Sequence, residues 1–143
     1  MKKVLLFSAL CVGMVACSGD KPKVVPENRQ AKKDVVEVLY FHGAQRCATC
    51  MAIEKVTGEL LEAEYAEEIE NGRLVFRTVD IAREETLAGK YEVSWSSLIL
   101  VDYDKNEDES AANLTELAFG NARTAPERFK EELSERITEM LNN

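Results

Sequence analysis

Apolar positions along the chain follow three patterns, and each predicts a different element. Residues 4–15 form an almost unbroken apolar run. Residues 35–41 form a shorter one, interrupted only by Glu37, as expected of a central strand covered on both faces. Elsewhere apolar residues return at helical or strand spacing. Ile53, Val56, Leu60 and Leu61 mark one side of a long helix over 50–69, glutamates occupy the other, and Asn71-Gly72 ends it. A strand is expected over 73–81 with Leu74, Phe76 and Val79 inward, then a short helix over 83–90. A third strand, 98–103, and a fourth, 113–119, flank an acidic hairpin loop at 104–110. An amphipathic helix over 124–141 closes the chain, with Thr124 as N-cap, Pro126 in the first turn, and Phe129, Leu133, Ile137 and Met140 or Leu141 inward. Strands alternating with helices imply an α/β layer fold around a largely buried sheet.

The first run belongs to no fold. Lys2 and Lys3 precede it, and it is too short to span a bilayer, which is the layout of a secretory signal. It ends in Met14-Val15-Ala16-Cys17, which resembles a bacterial lipobox with Met14 where leucine is usual. The resemblance implies a signal peptide of residues 1–16, cleaved before Cys17, whose sulfur would carry a diacylglycerol. The alternative is an ordinary cleaved signal that leaves Cys17 free. Each buried methylene of an acyl chain contributes about 0.8 kcal/mol, so a multiply acylated Cys17 would hold the protein firmly to a membrane. Such a protein would be exported and face the periplasm or cell exterior. Ser18 lacks the aspartate that retains some lipoproteins in the inner membrane, which points to the outer one.

Residues 17–33 hold Pro22 and Pro26, many polar residues and no apolar period, so they read as a flexible tether. Extended, it reaches about 55 Å. Residues 18–33 carry five basic and two acidic side chains, whereas residues 34–143 carry eleven and twenty-four. A basic tether beside anionic lipid and an acidic body repelled by it fit a membrane-anchored protein. The acidic body also excludes nucleic acid as a partner, since phosphate binding needs positive surface. Its 110 residues make one domain, expected to be a monomer.

Cysteine use narrows the chemistry. Of four cysteines, Cys11 lies in the signal and Cys17 at the lipobox, which leaves Cys47 and Cys50. Cys47-Ala48-Thr49-Cys50 follows a strand and opens a helix, a context that makes a common pattern specific. There Cys47 would sit exposed at the helix N-terminus, with Cys50 one turn on and within disulfide reach. Free N–H groups and the helix dipole favour thiolate at such a site, and Arg46 adds cationic character. As a structural staple the pair would be poor, since so short a loop gives about 1.9 kcal/mol against about 3 for fifteen residues. As a redox couple it is well suited, because the thiols remain neighbours after reduction.

The order of elements, the cysteine pair at a helix start and the closing helix together resemble the thioredoxin-like superfamily across residues 34–143. Tyr91-Glu92-Val93 also resembles that family's Tyr-Gly-Ile or Tyr-Gly-Val segment. The resemblance implies a three-layer α/β/α fold with a central mixed four-stranded sheet. It implies that Cys47 attacks a disulfide and that Cys50 resolves the mixed disulfide, with protein or small-molecule thiols and disulfides as partners and no cofactor. Two departures stand out. The family's cis-proline before the third strand is replaced by Ser97, within Ser94-Trp95-Ser96-Ser97, so this loop and Trp95, Ser96 and Ser97 become the candidate substrate-docking surface. The family's buried aspartate is missing from the positions before Cys47, which read Phe41-His42-Gly43-Ala44-Gln45-Arg46.

His42, the only histidine, could pass protons to and from Cys50 in the aspartate's place, since imidazole titrates near neutral pH. It could equally be packed against the Gly43 turn. Two thiolates and an imidazole would also suit copper or zinc, so metal delivery is one rival reading, although three ligands do not close a site. A binding module that kept the fold and lost catalysis is the other.

Overall fold

The computed structural model describes residues 33–106 and 108–143; the expected signal peptide, Cys17 and all but the last residue of the expected tether lie outside them. The elements run β1 (Val35–His42), α1 (Ala48–Glu64), α2 (Ala66–Glu70), β2 (Leu74–Asp80), α3 (Glu85–Lys90), β3 (Ser97–Tyr103), β4 (Glu109–Asn113), α4 (Thr115–Asn121) and α5 (Pro126–Leu141). The sheet order is β2-β1-β3-β4, with β1 parallel to β2 and antiparallel to β3, and β3 antiparallel to β4. The mixed four-stranded sheet lies between two helical layers, as expected.

β1 explains the layering. Side chains alternate along a strand, so its even residues Val36, Val38 and Tyr40 join one core with α1, α4 and α5. Its odd residues Leu39 and Phe41 join a second core with Val79, Ala88, Val93, Ile99 and Val101, on the α3 side. Burial on both faces is why the strand reads as a continuous apolar run. Ile53, Val56, Leu60 and Leu61 of α1 pack on the first face, and Phe129, Leu133 and Ile137 of α5 pack beside them.

Three expectations are corrected. The first helix does not run unbroken to Ile69: it stops at Glu64, and a separate short α2 follows Tyr65. Tyr65 is buried, and its hydroxyl bonds to the Ser134 carbonyl (2.9 Å), Ser134 Oγ and Thr138 Oγ1 (both 2.8 Å). That tertiary anchor overrides a local sequence favouring an unbroken helix. Second, residues 113–119 are not a strand. Asp104 Oδ1 accepts the N–H groups of Asn106 (2.7 Å) and Asp108 (3.0 Å), so the hairpin turns early and β4 is the exposed segment Glu109–Asn113. Asn113 Oδ1 then accepts the Thr115 N–H at 3.0 Å and starts α4, whose Leu114, Leu117, Ala118 and Ala122 follow helical spacing. Third, Thr124 caps nothing at the start of α5. Its hydroxyl donates to the Gly120 carbonyl at 3.1 Å, and Ala125 holds the N-cap position ahead of Pro126.

The segment that looked like the family's Tyr-Gly-Val ends α3. Glu92 N–H donates to Gly89 O (3.2 Å) and Val93 N–H to Ala88 O (2.8 Å), the paired bonds of a Schellman cap. Glu92 takes the left-handed position with φ +55°, which an L side chain adopts at a cost of about 1 kcal/mol. Glu92→Gly is therefore expected to stabilise the protein by about 0.5–1 kcal/mol, read as a raised midpoint in urea at unchanged slope.

Candidate functional site

β1 ends at His42, and the four-residue loop 43–46 delivers the chain to α1. Cys47 is the N-cap of that helix: its backbone is extended, its carbonyl accepts the Met51 N–H at 3.0 Å, and its sulfur accepts the Cys50 N–H at 3.1 Å. The thiol thus takes the place of the serine or threonine oxygen that usually caps a helix start. Helix α1 begins at Ala48, two residues earlier than the pattern suggested, which puts Cys50 in the first turn. Both cysteines are free thiols, Cys47 exposed and Cys50 only 5% exposed. A partner therefore meets Cys47 first.

Burial opposes ionisation of Cys50. Hydrogen bonds from the Cys47 side chain and backbone, from Ser96 and from Tyr40 outweigh it and hold the thiol below its ordinary value. Ser96 Oγ lies 3.8 Å from Cys50 Sγ. Tyr40 is wholly buried, and its hydroxyl donates to the Cys50 carbonyl at 3.0 Å. Burial, with the neighbouring Cys50 next in importance, keeps that phenol protonated far into the alkaline range.

The two cysteines and Ser96 come together; the other expected residues take different places. His42 is half-buried, and its Nδ1 lies 3.0 Å from the Gly43 carbonyl. A carbonyl only accepts, so Nδ1 carries the hydrogen and the ring secures the Gly43 turn. The hydrogen bonds at the thiols involve each other, Ser96 and Tyr40, not His42. Arg46 is paired with Glu54 of α1, so its charge is shared rather than aimed at Cys47. Ser97 is 3% exposed and donates to the Trp95 carbonyl at 2.9 Å, which braces the loop from within instead of lining its surface.

Trp95 is 62% exposed, with its ring centroid 5.5 Å from that of Phe119 on α4. With Gly43, Gln45, Ile81, Ala82 and Glu85 it borders an open cleft of about 480 Å³ that also reaches Ser96. Among the described residues, no group of three or more His, Cys, Asp and Glu side chains could hold a metal ion. Nor is any described helix long and apolar enough to cross a membrane.

Tyr40 escaped the sequence reading because it sits inside an apolar run that looks like plain core. Its signal was a phenol on the strand face that meets α1, since a buried tyrosine hydroxyl usually finds a polar partner. Phe41, the next residue of β1, belongs to the opposite core and is turned away from Cys50.

The sequence matches no family model and no curated protein. Among solved structures, the Trx4 domain of ERdj5 superposes with a TM-score of 0.52 at 14% identity, over 76% of this chain and 81% of that one. The fold is thioredoxin-like. Trxlp from Edwardsiella tarda EIB202 is also similar, at 19% identity and TM-score 0.46 over 70% of this chain and 82% of its own. Thioredoxin-2, a component of the malaria parasite protein secretion machinery, is 26% identical with TM-score 0.39, over 55% of this chain and 69% of its own. In this thioredoxin-like chain the loop before β3 brings a serine hydroxyl beside Cys50.

The lowered Cys50 thiol makes stability depend on pH. As pH rises, the folded chain loses the Cys50 proton before the unfolded chain does, so the unfolded state binds more protons in that window. Stability gained this way is complete above the ordinary thiol value of about 8.5 and is lost as pH falls through the folded value. The reduced protein is expected to gain thermal stability between neutral pH and about pH 9 relative to Cys50→Ser. Parallel melting profiles of the two over that range would contradict it.

Proposed function

We propose that the chain is a thiol–disulfide oxidoreductase or redox-partner protein tethered to a bacterial membrane and facing away from the cytoplasm. One observation carries the reading: an exposed thiol caps the helix, and the N–H of the buried thiol's own residue, one turn on, is the donor. A donor aimed at the Cys47 sulfur steadies the anion that attack requires.

In the reducing direction, Cys47 thiolate attacks one sulfur of a partner disulfide. A Cys47–partner bond forms, the partner S–S bond breaks, and the departing sulfur takes a proton. Cys50 then attacks the Cys47 sulfur; the intramolecular disulfide forms and the second partner thiol leaves. Two electrons pass from the cysteine pair to the partner, and the reverse sequence oxidises a dithiol. The exposed Trp95–Phe119 pair and the cleft reaching Ser96 support docking of the partner beside Cys47. The lipobox-like segment ending at Cys17, followed by a basic tether, supports anchoring through an acylated Cys17.

Full-chain protein, reduced and mixed with a disulfide peptide, is expected to open the peptide bridge. Cys47→Ser should fall to background, and Cys50→Ser should accumulate a mixed disulfide through Cys47, visible as a mass adduct. A wild-type chain that leaves the bridge intact would overturn the reading in favour of a silent binding module. In expressing bacteria, Cys17→Ser is expected to move the protein from the membrane to the soluble fraction; unchanged membrane association would contradict anchoring through that sulfur.

A further inference from the structure

Resolution of a mixed disulfide requires Cys50 as a thiolate, yet this sulfur is buried and the end of β1 beneath it reads Tyr40-Phe41-His42, with no carboxylate. We propose that the Ser96 hydroxyl steadies negative charge when it falls on the Cys50 sulfur of the reduced pair, with Tyr40 fixing the helical turn that carries this sulfur, and thereby makes the pair a stronger oxidant than it would be without that hydroxyl. This rests on the exchange reading above.

Ser96 suits the role because a hydroxyl can both donate and accept. With the thiol protonated, Cys50 Sγ–H donates to Ser96 Oγ across 3.8 Å. On ionisation the serine hydrogen can rotate and donate back to the sulfur. The loop is held for this by the Ser97 hydroxyl on the Trp95 carbonyl, directly behind Ser96. Tyr40 acts as a positioning residue. Its hydroxyl, kept protonated by burial, donates to the Cys50 carbonyl and fixes the first turn of α1 over β1. Neither group removes the Cys50 proton; the first partner sulfur to depart, a stronger base than either hydroxyl, takes it as the mixed disulfide forms. The Cys50 electron pair then attacks Cys47 Sγ, the bond from Cys47 to the partner breaks, and the departing sulfur takes its proton from water.

The effect on the redox balance has a definite sign. In the disulfide, Cys50 is neutral and a weak acceptor, so hydroxyl donors stabilise the dithiol form more. Stabilising the dithiol form raises the reduction potential.

The test is the equilibrium of the full chain with reduced and oxidised glutathione, for wild type, Ser96→Ala, Ser96→Thr and Tyr40→Phe. Ser96→Ala is expected to shift the equilibrium toward the protein disulfide by roughly tenfold, which is about 30 mV more reducing for a two-electron couple, and Tyr40→Phe in the same direction by less. Ser96→Thr restores the hydroxyl and is expected to keep the wild-type constant. Variants that all share the wild-type constant, or shift toward the dithiol, overturn the inference and leave the exchange reading intact. A wild type that never equilibrates with glutathione overturns the exchange reading and this inference with it. If Tyr40→Phe does not fold, the Ser96→Ala and Ser96→Thr pair still decides.

Discussion

The hydrogen bond from the Cys50 N–H to the Cys47 sulfur, 3.1 Å long, joins two roles that proteins often keep apart. It satisfies one of the N–H groups that every helix start leaves without a partner, and it directs a donor at a reactive thiol. It also fixes the separation of the sulfurs at one helical turn. The geometry depends on where β1 lets go of the chain. With both faces of the strand buried, its register against β2 and β3 leaves little freedom, and the four-residue loop after His42 places Cys47 at the N-terminus of α1.

Strand alternation then decides which groups can serve Cys50. Only the even residues of β1 meet α1, so Tyr40 reaches the first turn of that helix, whereas Phe41 is turned toward α3. The loop before β3 supplies the second polar group, Ser96, from the other side of the sulfur. Cys50 is thus surrounded by donors with no base among them, and the balance of burial against those donors, not the missing acid, sets its behaviour. His42 and Arg46, the two residues whose chemistry looked most useful, are spent locally on the Gly43 turn and on Glu54.

Much of this was legible in the residues. The near-continuous run of β1, the cysteine pair at a helix start and the 3.6-residue stripe of α5 each carry one strong period, and all three elements form, although α1 ends at Glu64 and α5 starts without a Thr124 cap. What failed were places where a tertiary contact or a polar turn overrides the period. Tyr65 breaks a helix because Ser134 and Thr138, about seventy positions away in sequence, receive its hydroxyl. β4 was missed because Ser110, Ala111 and Ala112 form an exposed edge with little apolar content, while the richer segment after it is helical. The roles of Tyr40 and Ser96 depend on contacts between β1, α1 and the loop before β3, which no local pattern encodes.

The proposed exchange chemistry requires that Cys47 and Cys50 form a reversible couple and not a fixed bridge. A thiol-trapping titration of wild-type protein across dithiothreitol buffers of decreasing potential tests it directly. One reversible two-electron step is expected within the range of exchange proteins, roughly −120 to −270 mV. A pair that stays oxidised far below that range would be a structural disulfide and would contradict the exchange reading.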